Sequence, residues 1–126
     1  TRVVLVRECR QGQGISYGST FVTPRAMRVA TLAVGYADGY RRHLSGKAAS
    51  VLIGGKRCPV LGRVTMDQIM VDVDSVPEAQ AGSEVVLLGE QGGERIDVSE
   101  LAALSGTIPW DIFTGLGNRV SRIQMP

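Results

Sequence analysis

The sequence predicts a mainly β domain, an antiparallel β-barrel or sandwich with two short helices near its C-terminus. Short runs rich in Val, Ile and Leu recur through the first 96 residues, sixteen glycines punctuate the chain, and helix-start signals come only after them. At 126 residues the chain suits one domain with one apolar core, so residues 1–126 are expected to form a single domain.

The elements follow in order. Val3-Val4-Leu5-Val6 is β-branched and starts abruptly, as expected of a domain excised from a longer chain. Gly12 and Gly14 break that strand before the segment Ile15 to Thr20, and Met27 to Val34 reads as a second apolar strand. Gly35 to Arg42 holds two glycines and an Asp-Gly turn signal, which predicts a loop. Gly54-Gly55 between Val51-Leu52-Ile53 and Lys56 to Val60 predicts a two-residue hairpin, because consecutive glycines readily take the positive φ angles such a turn needs.

Ile69, Val71 and Val73 alternate with Met70, Asp72 and Asp74, so one face points inward and the two carboxylates are expected in solvent. Glu84 to Gly89 predicts a further strand after the Ala81-Gly82 turn, and Gly92-Gly93 turns the chain toward Ile96. Asp97-Val98-Ser99-Glu100 has the spacing of a capping box and opens a helix running to Gly106. A second helix is expected from Pro109 through Phe113, ending at Gly115 or Gly117, with Arg119 to Ile123 returning as a strand.

Composition narrows the partners. The charge of +2 arises from twelve arginines and two lysines against twelve acids, with no basic block of the kind that tracks a phosphate backbone, so no nucleic acid is expected. No apolar run is long enough to span a bilayer and the first residues do not form a signal peptide, which predicts no membrane contact from this segment. Cys9 and Cys58 lack Cys-x-x-Cys spacing and His43 has no ligand at metal spacing, so no metal site is expected. The cysteines read as reduced structural thiols in a cytoplasmic protein.

Three polar clusters sit in glycine-hinged loops: Ser16-Tyr17-Gly18, Gly35 to Arg42, and Gly62 to Gln68. Spacing alone leaves structural readings open beside functional ones: a tyrosine on a sheet rim, an Asp-Gly turn, an arginine paired with a nearby aspartate.

At these clusters the chain resembles the alanine racemase family. Ile15-Ser16-Tyr17-Gly18 resembles the family's Val-Ser-Tyr-Gly segment, Gly35-Tyr36-Ala37-Asp38-Gly39 its Gly-Tyr-Ala-Asp-Gly loop, and Gly62-Arg63-Val64-Thr65-Met66-Asp67-Gln68 its Gly-Arg-x-x-Met-Asp-Gln segment. Arg119-Val120-Ser121-Arg122 resembles its closing Arg-Val-Pro-Arg. The four occur in the family's order from about Ile15 to Ile123.

The resemblance implies a pyridoxal-phosphate-dependent isomerase that interconverts L- and D-alanine, in which an N-terminal (β/α)8 barrel, absent here, binds the cofactor through a lysine. Neither Lys47 nor Lys56 resembles that lysine. In the family two subunits pair head to tail as a homodimer, so one subunit's β domain completes the other's site, and the isolated domain is expected to be folded but inactive. Racemisation needs a proton donor or acceptor on each face of a planar carbon. By resemblance Tyr17 serves the L face, polarised by neighbours from the opposite barrel. Met66 matches the position whose backbone N–H binds the substrate carboxylate. Tyr36, Arg42, Arg63, Asp67 and Asn118 match the access corridor and pocket, with Asp67 bracing its turn and Asp38 forming its own.

Three positions depart from the family pattern: Asn118 where a tyrosine is common, Ser121 for proline, and Thr65 for cysteine or serine. Asn118 widens the pocket and adds an amide, which opens serine as an alternative substrate, as in the related serine racemases of vancomycin-resistance systems. A reading of another class is a small β-barrel that binds nucleic acid or protein, although six aromatics offer few stacking platforms. A decarboxylase of the same architecture would bring a cysteine-aspartate pair that this chain lacks.

Overall fold

The computed structural model describes residues Thr1–Pro126. Its main body is a six-stranded antiparallel sheet in the order β1-β4-β7-β6-β5-β8, built from β1 (Val3–Cys9), β4 (Met27–Leu32), β5 (Ser50–Ile53), β6 (Lys56–Leu61), β7 (Ile69–Asp72) and β8 (Val85–Val86). Two small hairpins flank it: β2 (Gly14–Ile15) with β3 (Phe21–Val22), and β9 (Gly89–Gln91) with β10 (Glu94–Ile96). Helices α1 (Val98–Ser105) and α2 (Pro109–Thr114) pack together after the last strand. The mainly β architecture with two C-terminal helices is the one the sequence predicts.

The sheet curls until its two ends meet over a short stretch. Arg2 bridges Glu84, and the Thr1 ammonium donates to the Val85 carbonyl at 3.0 Å. The Val3 N–H donates to the Ser83 carbonyl at 3.0 Å and the Val85 N–H to the Thr1 carbonyl at 2.9 Å, so the contact runs over residues 1–3 and 82–85.

Apolar strands form this sheet because their side chains are buried in two cores that cover it. Val29, Ala30, Leu32, Val51, Leu52, Ile69 and Val71 are fully buried, and each large aliphatic side chain so removed from water contributes about 1.5–3 kcal/mol. Strand β4 shows no apolar–polar alternation because Val29 to Leu32 are buried on both faces. The β5–β6 turn takes the expected form, with φ of 59° at Gly54 and 75° at Gly55 and Ile53 opposite Lys56.

Four expectations are corrected. Glu84 to Gly89 is not one strand: after Val86 the chain bends at Leu87 and Leu88, and Gly89, at φ 128°, turns it to pair with Ile96. Arg119 to Ile123 forms no strand, because the Arg119 side chain is tied to two aspartates and the Arg122 guanidinium donates to the Leu116 carbonyl at 3.1 Å. Asp72 and Asp74 do not simply face solvent, since Arg25 pairs with both, at 3.1 and 2.8 Å. The capping box is half made: Asp97 accepts from the Glu100 N–H at 2.9 Å, while the Glu100 carboxylate turns to Arg57 at 2.6 Å. The cap that remains contributes about 1 kcal/mol to α1, and Gly106, at φ 70°, ends that helix.

A second, smaller core positions the first polar loop. Ile15 is fully buried beside Cys9, Met27, Val29 and Leu61, which anchors the β2–β3 hairpin to the rim of the sheet. No helix is long and apolar enough to cross a membrane.

Candidate functional site

Directly after buried Ile15 the chain is forced outward. Ser16 stands at φ 64°, unusual for a residue with a β-carbon, and its Oγ donates to the Arg63 carbonyl at 2.6 Å. That bond holds the strained turn, and Gly62, whose φ is 68°, leaves space for the Ile15 carbonyl. Tyr17 follows on a single 3-10 turn and is 74% exposed. Anchor, strained serine and short turn present the phenol to solvent beside the 62–66 segment.

The second loop grips the third. The N–H of Tyr36 donates to the Thr65 carbonyl at 2.9 Å and that of Ala37 to the Met66 carbonyl at 3.0 Å. Asp38 accepts from the Gly35 N–H at 3.0 Å, which closes the 35–38 turn. Thr65 completes its own turn by exchanging hydrogen bonds with Gln68.

This pattern orients a donor. The Thr65 carbonyl and the Met66 N–H belong to one planar trans peptide and point in opposite directions. With the carbonyl held by Tyr36, the Met66 N–H is aimed away from the 35–38 loop, and it has no acceptor within the chain. A free N–H in a fixed direction suits an anion.

Tyr17, Tyr36, Arg42, Arg63, Val64, Thr65 and Met66 line one open cavity of about 480 Å³. Five of the seven residues singled out in the sequence therefore converge, from positions 17 to 66 of the chain. Neither the Arg42 nor the Arg63 guanidinium pairs with a carboxylate. The two also frame a smaller polar hollow with His43 and Ser45. The mouth is thus cationic, a field that draws in a small carboxylate.

Asp67 and Asn118 lie outside this lining. Asp67 points to Arg119, 2.8 Å away, and Asn118 is exposed beside that arginine. Asp38 closes its own turn and also pairs with Arg119 at 3.0 Å; that hydrogen bond, the larger cause, holds its carboxyl below the usual range against the opposing effect of burial.

Two ties escaped the sequence reading. Arg119, quoted there only as part of a closing motif, joins two loops, and Arg41 reaches Asp111 of α2 at 2.8 Å. Residues 81 and 70 positions apart leave no local pattern to find them by.

A pyridoxal phosphate group would need a lysine, and none lines the cavity. Lys56 donates to the Ser75 carbonyl on the far side of the β5–β6 hairpin, and Lys47 is exposed. The residues present do not fit a complete cofactor site. What they supply is a phenol, a directed amide and two free cations.

A family model described as alanine racemase, C-terminal domain, matches residues 1–124. The alanine racemase of Symbiobacterium thermophilum is 54% identical over 122 residues, covering 97% of this chain and 32% of the relative. That of Halothermothrix orenii is 49% identical with the same coverage. Among solved structures, alanine racemase from Streptomyces lavendulae superposes with a TM-score of 0.91 at 36% identity, over 99% of this chain and 32% of that one. Alanine racemase from Bacillus anthracis with bound L-Ala-P gives 0.88 at 43% identity, over 94% and 30%. The chain spans about a third of the length of the curated relatives it matches. These relatives carry the name alanine racemase, so the serine-racemase alternative raised by Asn118 is not favoured.

Proposed function

This chain belongs to the alanine racemase family as its C-terminal domain, and from that premise we propose that it completes the active site of a pyridoxal-phosphate-dependent enzyme interconverting L- and D-alanine. The supporting observation is one cavity lined by the phenol of Tyr17, the directed Met66 amide and the unpaired guanidinium groups of Arg42 and Arg63.

In this reading a pyridoxal phosphate held by an N-terminal barrel outside this chain would supply an electron sink next to the substrate Cα. The Met66 N–H binds the substrate carboxylate, and Arg42 and Arg63 draw it down the corridor past Tyr36. Asp67, paired with Arg119, and the exposed Asn118 stand outside that lining. The Tyr17 Oη, once its own proton has passed to a group of the opposite barrel, takes the α-proton from L-alanine and returns it in the reverse direction, while a base of the barrel serves the opposite face.

Because Tyr17 and Met66 stand at an exposed mouth, 74% and 53% open to solvent, something must cover them for proton transfer to proceed away from water. The cover is the barrel of a second subunit, in a head-to-tail homodimer. The chain alone is inactive. Two unpaired, buried thiols, Cys9 and Cys58, suit the reducing cytoplasm in which the whole enzyme acts.

The test is α-proton exchange in deuterated water with the full-length protein and its Tyr17→Phe variant. Exchange from L-alanine is expected to fall by about 100-fold or more, and exchange from D-alanine by much less. Equal losses from both enantiomers overturn the assignment of Tyr17.

A further inference from the structure

We propose that Arg119 is a positioning residue for substrate binding: it neutralises the Asp67 carboxylate beside the anion-binding amide and locks that carboxylate to the Asp38 loop. The proposal rests on the reading that the Met66 N–H receives the substrate carboxylate.

Three distant segments meet at this guanidinium. Its Nε donates to Asp38 Oδ1 at 3.0 Å and its Nη2 lies 2.8 Å from Asp67 Oδ1. The other Asp38 oxygen caps the Gly35 N–H, in the loop whose next two N–H groups hold the Thr65 and Met66 carbonyls. The Gly117 N–H donates to the Asp38 carbonyl at 3.1 Å, so backbone as well as side chain binds the 115–119 segment to that loop. Glycine is required at the approach, since a β-carbon on Gly117 would stand 2.8 Å from the Ala37 carbonyl and one on Gly39 2.5 Å from the Gly115 carbonyl.

The charge pattern gives this junction a purpose beyond packing. Asp67 follows Met66 directly, so a bare carboxylate there would repel the carboxylate that the Met66 amide is aimed to receive. With 59% of its side chain in solvent, Asp67 is not forced toward Arg119 by burial. The planar fork of arginine satisfies both aspartates at once, which a lysine ammonium on a flexible stem does less well. A half-exposed ion pair adds little stability, so its removal should register in substrate affinity more than in folding.

The experiment uses the full-length protein with pyridoxal phosphate and measures KM and kcat for both alanine enantiomers, with thermal midpoints alongside. Arg119→Gln is expected to raise KM about five- to tenfold, the scale of one uncompensated charge near the surface, with kcat changed less than about twofold. Adding Asp67→Asn to that variant removes the repelling charge and is expected to restore KM most of the way. Arg119→Lys should fall between wild type and Arg119→Gln, and it serves as the second probe if Arg119→Gln does not fold. An unchanged KM in a racemising Arg119→Gln protein overturns the proposal, as does a double variant with no recovery. Absence of racemase activity in the unmutated full-length protein would instead overturn the functional reading beneath it.

Discussion

The Gly35 α-carbon lies against the Met66 carbonyl with no space between them for a β-carbon. Its φ of −156° is an extended conformation open to other residues, so the requirement is steric. That approach lets the Tyr36 and Ala37 N–H groups reach the Thr65 and Met66 carbonyls and so fixes the direction of the Met66 amide.

Gly35→Ala should therefore lower the stability of the full-length protein by about 1–3 kcal/mol, the usual cost of overpacking, and raise KM for alanine as the amide is displaced. Urea unfolding and steady-state kinetics check both. A variant with unchanged midpoint and KM would mean that the two loops separate freely.

Tyr40 carries a buried hydroxyl without a hydrogen-bond partner, its residue only 5% exposed. Burial raises its pKa, with the Glu100 charge adding to the effect, so the group stays neutral. Tyr40→Phe removes an unsatisfied polar atom and keeps the ring, so stability should hold or rise by up to about 1 kcal/mol. A fall in the thermal midpoint would show that the hydroxyl has a partner after all.

Burial pushes the Cys58 thiol up to about 11, with the Asp72 charge contributing to the rise. A thiol held neutral in the fold but ionising near 8.5 in the unfolded chain favours the native state fully below about pH 8.5. That contribution fades as pH rises through about 11. Cys58 should thus resist a thiol-specific alkylating reagent at pH 8 and react after denaturation. Rapid labelling of Cys58 in the native protein would contradict its burial.

Much of the fold was legible because local chemistry dictates it. Gly54-Gly55 sets a two-residue hairpin, Asp97 and Gly106 bound α1, and the run Met27 to Val34 reads as a buried strand, which the fold realises over Met27–Leu32. Reading failed where a long-range partner overrode the local signal. Arg119 to Ile123 has strand propensity but gives its arginines to side-chain and carbonyl partners, and Val85 to Gly89 breaks because Ile96 offers Gly89 a different pairing. The candidate site behaved alike: Tyr17, Tyr36, Arg42, Arg63 and Met66 could be named from motifs, whereas the displacement of Asp67 toward Arg119 could not.

By itself the sequence determined the class of the fold, the glycine-hinged loops and the chemical types gathered in them, since turn angles, caps and apolar runs are properties of neighbouring residues. Only the tertiary structure decided that the Thr65 carbonyl is held while the Met66 amide is free, and that one guanidinium serves two aspartates. Such relations depend on directions and distances between segments tens of residues apart. Those are set when the curled sheet and its two helices pack, and no local pattern encodes them.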